Sequence, residues 1–187
     1  MAMQQPQTTM TENPAAGVPG MLYDMNNYAS ESVVNAESSA AIAPGLFVVN
    51  GTGVDDAKLP TAAADITAGK ARGFAIFQDL NINPSLLTNA DRAKYQPKQY
   101  FPITSRCEGM WVYCPKAWTK NGKVFIRYTA SLAYPLAVIG QVHPDVDNSD
   151  DGSGAVDHCV ALVSARFLDT GAAAGLALIK FDVQPTG

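Results

Sequence analysis

Two histidines, His143 and His158, and three cysteines, Cys107, Cys114 and Cys159, are the residues best equipped for nucleophilic or metal chemistry. A Ser/His/Asp or Cys/His system needs a histidine as its base. His143 precedes Pro144 at a strand end, and His158 stands beside Cys159 within a strand-like run. Neighbouring strand residues point to opposite faces, so His158 and Cys159 cannot pair directly. Both histidines read as core or rim residues. Cys107 and Cys114 lie seven apart, outside any C-x-x-C pair, and nothing completes a four-ligand zinc set. An odd number of unpaired thiols predicts three reduced, buried cysteines. Neither G-x-x-x-x-G-K-[ST] nor G-x-G-x-x-G occurs.

One stretch resembles an ion site. In DVDNSDDGSG, counting from Asp147, oxygen donors fall at Asp147, Ser149 and Asp151, and Gly152 takes the sixth place. This is the first half of a calcium loop. The twelfth place holds His158 where a bidentate Glu is needed, and flanking helices are missing. Asp, Asn, Ser and Gly are also what a solvated turn selects. The stretch is therefore read as an acidic turn, with Asp147, Ser149 and Asp151 as a weak calcium candidate. This inventory predicts no enzyme and no cofactor.

The elements that carry these residues read as strands. PGLFVVNGTG gives turn, strand and turn, followed by a polar, Ala-rich loop over 54–69 and a strand at GFAIFQ (73–78). Residues 79–98, with several Asn and Pro, form an excursion from the sheet. QYFPITSRC (99–107) and GMWVYC (109–114) read as two strands, with Pro102 suggesting an edge. Asn121-Gly122 predicts a two-residue hairpin turn into KVFIRYTA (123–130). There Val124, Ile126 and Tyr128 share one face, and Phe125, Arg127 and Thr129 the other. PLAVIGQV (135–142) is apolar enough for burial on both faces. The acidic loop at 145–154 precedes two closing strands, AVDHCVALVSARFL (155–168) and GLALIKFDV (175–183). Short strands with frequent turns predict an all-β fold, a small antiparallel barrel or sandwich.

The first 42 residues read differently. Residues 1–20 hold too little apolar surface to offset ordering entropy. Met21, Leu22, Tyr23, Met25 and Tyr28 then form an apolar and aromatic cluster. Such a segment either orders on a partner or folds back and plugs the chain's own core. The expected organisation is an extended arm over 1–42 and a β-rich domain over 43–187.

Charged residues make up only 16% of the chain, leaving much neutral surface that is cheap to desolvate against a partner. Residues 1–57 contain no Lys or Arg and six acids, residues 58–144 carry a net +7, and residues 145–187 a net −5. Alternating blocks favour packing between subunits over nucleic acid, which needs a dense basic stripe. The N-terminus lacks both regions of a signal peptide, and no run approaches the apolar length of a membrane helix, which predicts a soluble cytoplasmic product with no membrane partner.

From Ala43 onward the chain resembles the structural cement proteins of tailed bacteriophages. The resemblance is carried by APGLFVV, ARGFAIF, YFPITSRCEGMWVY, NGKVFIRY and SARFLDTGAAAGLALIKFDV, in that order over residues 43–183. It implies a β-rich capsid decoration protein that sits outside the phage head and bridges neighbouring major capsid subunits. It also implies a homo-oligomer, trimer favoured over dimer, made in the host cytoplasm and located in the virion. It supplies no catalytic residues. The excursion at 79–98, the 145–154 loop and the N-terminal extension depart from the pattern. A second reading is a surface β-module that binds a receptor or glycan, with Trp111, Tyr113 and Trp118 as an aromatic platform.

Overall fold

A computed structural model describes residues 18–23, 28–67, 69–77, 94–130, 138–148 and 157–183. The strands are β1 (Tyr28–Asn35), β2 (Phe47–Asn50), β3 (Asp56–Lys58), β4 (Ala71–Ala75), β5 (Tyr100–Cys114), β6 (Lys123–Arg127), β7 (Val142–His143), β8 (Cys159–Phe167) and β9 (Gly175–Asp182). One short helix, α1 (Ala63–Thr67), lies between β3 and β4. The strand order is β1-β3-β2-β4-β5-β9-β8-β6-β7, and β1 also pairs with β5. That pairing closes the first five strands into a barrel, to which β9, β8, β6 and β7 are added as further strands. The fold is all β, as the strand pattern predicts.

Two apolar clusters follow from the alternation of side chains. Val33, Val48, Ala57, Ala75, Phe101 and Ile103 pack together in one. Phe47, Val49, Phe74, Met110, Val112, Val124, Ile126, Phe167 and Ile179 belong to the other. Strands β2 and β4 therefore contribute to both clusters, which explains their continuous apolar runs. Gly73 sits where β4 crosses β5. Its φ is 143°, and a Cβ there would lie 2.1 Å from the Thr104 carbonyl oxygen, so no other residue fits without moving a strand.

Several expectations are corrected. The runs 99–107 and 109–114 are one strand: Cys107 pairs with Phe181 and Met110 with Ile179, so Glu108 and Gly109 stand opposite Lys180 alone. This is a bulge, which an isolated Cys-Glu-Gly reads as a turn. Pro102 is not on an edge, since it faces Ser32 of β1 on one side and accepts a bond from the Ile76 amide on the other (2.9 Å). The reciprocal bond, which a proline cannot donate, is replaced by the Tyr95 hydroxyl donating to the Ile76 carbonyl. Asn121 has φ 64° and the Gly122 amide donates to Thr119, but Gly122 keeps an ordinary φ. The turn does not make a hairpin of β5 and β6. Strand β6 pairs with β8 and β7 instead.

Residues 54–69 hold β3 and α1 rather than a plain loop. Thr61 and Ala62 amides donate to Asp65 Oδ2 at 3.0 and 3.2 Å, satisfying donors at the helix start. Of the run 135–142, Val138 is half exposed and Gly140 lies in a turn, so the strand begins only at Val142; residues 135–137 lie outside the described residues. The excursion at 79–98 falls outside them except for 94–98.

Candidate interaction surface

The described part of the N-terminal segment lies along β5. The Gly20 amide donates to the Trp111 carbonyl (2.7 Å), the Trp111 amide to Met21 (3.0 Å), and the Tyr23 amide to Gly109 (2.7 Å). Leu22 forms a bridge with Met110 and packs, half-buried, on the larger core. Farther along, β1 runs antiparallel to β5 from Tyr28 opposite Cys107 to Val34 opposite Tyr100. Val33 and Asn35 are fully buried. Residues 28–35, read as part of an arm, are thus a barrel strand. Their alternation escapes notice because Ala29 to Ser32 are exposed while Val33 and Asn35 alone turn inward.

The segment is fastened by backbone. The Phe77 amide donates to the Gly20 carbonyl at 2.9 Å. Gly20 has φ 83°, and a Cβ would meet Pro44 Cβ at 2.6 Å and the Gly45 nitrogen at 2.8 Å. Only glycine allows this approach.

Of the five candidate contact residues, Met21, Tyr23 and Tyr28 present large exposed side chains, and Leu22 faces inward. Met25 lies outside the described residues. Tyr23 meets Trp111 edge to face, with centroids 6.2 Å apart. Trp111 pairs with Leu178 and Tyr113 with Leu176, so these four side chains share the outer face of the β5–β9 pair. Sequence reasoning found the cluster at 21–28 but missed Leu176 and Leu178. Their alternation with the buried Ala177 and Ile179 was the available signal. Trp118 does not join this face: it is buried, stacks on Phe167, and donates through Nε1 to Asp169 (2.8 Å). The three-aromatic platform is therefore not formed.

Of the acidic turn at 145–154, residues 145–148 are described, and Asn148 is exposed whereas Asp147 is not. Asp147 is buried, and its Oδ2 lies 2.5 Å from Arg127 Nη2, both side chains being at most 1% exposed. The alternation of β6 places Arg127 on the face opposite Val124 and Ile126, with Phe125. It is buried because this carboxylate neutralises it there. The amides of His158 and Cys159 donate to Val146 at 3.2 and 2.9 Å, closing the base of the loop. Asp147 is thus committed to a cation of the chain itself. Ser149 and Asp151 lie outside the described residues. Among the described residues no cluster of His, Cys, Asp and Glu could hold a metal.

His143 is buried in β7, with Nδ1 2.9 Å from Asp145 Oδ1. Burial lowers its pKa below the usual histidine value; Asp145 opposes the shift and Arg127 adds to it. His158 is buried too and donates through its backbone. All three cysteines are free and buried. Burial pushes Cys114 up to about 11 and Cys159 to about 12, so both are neutral thiols and poor nucleophiles.

What remains distinctive is an outer face rich in neutral and aromatic side chains. The family described as "Structural cement protein (E217 gp24/Pam3 gp6)" matches residues 6–182. The chain belongs to the structural cement protein family. Its fold is similar to a chain in a solved structure titled "The capsid of Myoviridae Phage XM1", with a TM-score of 0.58 and 12% identity, covering 96% of this chain and 98% of that one. No curated protein matches in sequence. The family and that fold together support a structural role at a phage capsid for this cement protein, in the virion. Membership in the family also implies a non-catalytic role.

Proposed function

We propose that the protein sits on the outside of the phage head and bridges neighbouring major capsid subunits, so that the assembled shell resists rupture. The observation that carries this reading is the grouping of exposed apolar side chains. Val18, Met21, Tyr23 and Tyr113 are each 40% exposed or more and lie on or beside the β5–β9 outer face. A monomer gains nothing from exposing them together, whereas a lattice contact desolvates them at little cost. Bridging needs several modest contacts repeated by symmetry, and linked contacts raise avidity without new chemistry. A homo-oligomer supplies them; a trimer suits the points where three capsid edges meet, and a dimer suits two-fold axes.

The test compares particles made with and without the protein under heat and osmotic shock. Complete particles should rupture at higher temperature, and adding purified protein to deficient shells should restore the difference. Equal thresholds, with no protein retained on purified virions, would rule the reading out. A receptor- or glycan-binding module is less well supported, because Trp118 is buried rather than at a rim.

A further inference from the structure

Three basic residues stand in one row across the added strands. Lys123 of β6 pairs with Arg166 of β8, and Arg166 pairs with Lys180 of β9. Directly opposed residues project from the same face, and adjacent strands are about 4.8 Å apart, so the row spans about 10 Å. It lies on the outer face: Ala165, Phe167, Ile179 and Phe181, which flank Arg166 and Lys180, are buried, while Lys123 and Lys180 are exposed. Among the described residues, none of the three has a carboxylate within ion-pair distance, the ion pairs being made by other cations. Glu108 stands opposite Lys180 in the β5 bulge but outside ion-pair distance, and two other acids near these strands have their own partners. Asp182 faces Arg106 at 3.9 Å, and Asp169 accepts from Trp118 and the Leu178 amide. Arg166 is held in place, its Nη1 donating to the carbonyls of Val163 (2.9 Å) and Ala165 (2.6 Å).

Like charges directly opposed across strands destabilise a sheet. Here the arrangement occurs twice in succession, in a chain whose net charge is −4. Folding alone does not favour such a row. An acidic partner would convert the repulsion into attraction.

We propose that the Lys123–Arg166–Lys180 row is a docking strip for a carboxylate-bearing patch on a protein partner, the capsid lattice. This rests on the cement reading and adds to it the chemistry of the partner surface. Two features favour a protein over nucleic acid. The row is short, whereas nucleic-acid binding follows many phosphates. It also adjoins the apolar face of Leu178 and Trp111, one step along β9 from Lys180. A charged strip beside an apolar patch is the usual layout of a protein interface, with steering at the rim and desolvation at the centre.

The test uses full-length protein and purified shells lacking it. Binding is measured over a salt series for wild type, Lys123→Gln, Lys180→Gln, the triple Gln variant and the control Lys58→Gln on the barrel. Wild-type affinity should fall as salt rises. The triple variant should bind about tenfold more weakly at low salt, with a flatter salt dependence. Each single variant should show part of that loss, and Lys58→Gln none. Melting temperatures should be unchanged or higher in Lys123→Gln and Lys180→Gln, since repulsion is removed, so binding and stability move apart. If the triple variant binds as wild type does, the docking strip is wrong and the cement reading stands. If wild type itself does not bind shells, both fail. If the triple variant loses only the ability to shift DNA in a gel, the row serves nucleic acid and the proposal is overturned.

Discussion

Removing Asp147 should cost this protein more than any surface substitution. Asp147→Ala leaves the Arg127 guanidinium, 0% exposed, with its counter-charge gone. Among the described residues, the remaining hydrogen-bond partner of that guanidinium is the Thr129 carbonyl, at 3.4 Å. Breaking one side of a buried pair typically costs about 3–5 kcal/mol, because the stranded charge keeps its full desolvation penalty. For a chain of this size, each kcal/mol moves the midpoint by about 2–4 °C, so a fall of about 6–20 °C follows. Urea titration followed by tryptophan fluorescence measures the loss directly, and an unchanged slope with denaturant would show that the native surface is intact. Replacing both partners by apolar residues, Arg127→Met with Asp147→Leu, should recover most of the loss, to within about 2 kcal/mol of wild type. A single-mutant loss below about 1 kcal/mol would refute the reasoning, since it would mean that water reaches the pair. So would a double mutant less stable than Asp147→Ala, since it would place the cost in packing rather than charge.

Deleting residues 1–35 should abolish the cooperative unfolding transition, because β1 closes the barrel; a truncated chain that melts normally would contradict this. His143 has a folded-state pKa below its unfolded value, so the unfolded chain takes up the proton first as pH falls. Stability should therefore decline from about pH 6.5 downward, where an unfolded histidine titrates, and His143→Gln should flatten that decline in melting curves recorded between neutral and mildly acidic pH. Gly73→Ala should destabilise by about 3 kcal/mol or more, read by chemical denaturation, since its Cβ would overlap the Thr104 carbonyl. Thiol titration without reductant should find three free cysteines in denaturant and slow reaction in the native state at neutral pH.

Most of the strands were legible because their chemistry is local. FVV after Pro44-Gly45, GLALIKFDV and KVFIR each declare themselves by alternation or by an apolar run between turn residues. What was missed depends on partners distant in sequence. Nothing near Tyr28–Asn35 shows that β5 lies alongside it, since a strand with an exposed first half looks like a polar linker. The merger of 99–107 and 109–114 depends on β9 accepting the bulge. The burial of Arg127 depends on Asp147, twenty residues away. The cluster at 21–28 was visible by composition; of its described residues, Met21 and Tyr23 bond to β5 through backbone with exposed side chains, and Tyr28 opens β1.

Strand β5 has a consequence for how the chain folds. Its Trp111 is bonded to Met21 near the beginning of the sequence and paired with Leu178 near the end. Thr104 in turn reaches Ala29 across 75 positions of sequence. Nearly every stabilising pairing of β5 thus closes a long loop, whose entropy must be lost before the contact repays it. Folding should accordingly be slow for a domain this small, on the scale of milliseconds to seconds. The pairing of β5 also cannot be completed until β9, made after it, is available. Until then β5 exposes the unpaired edge that β9 later covers, a template for pairing with another unfinished chain.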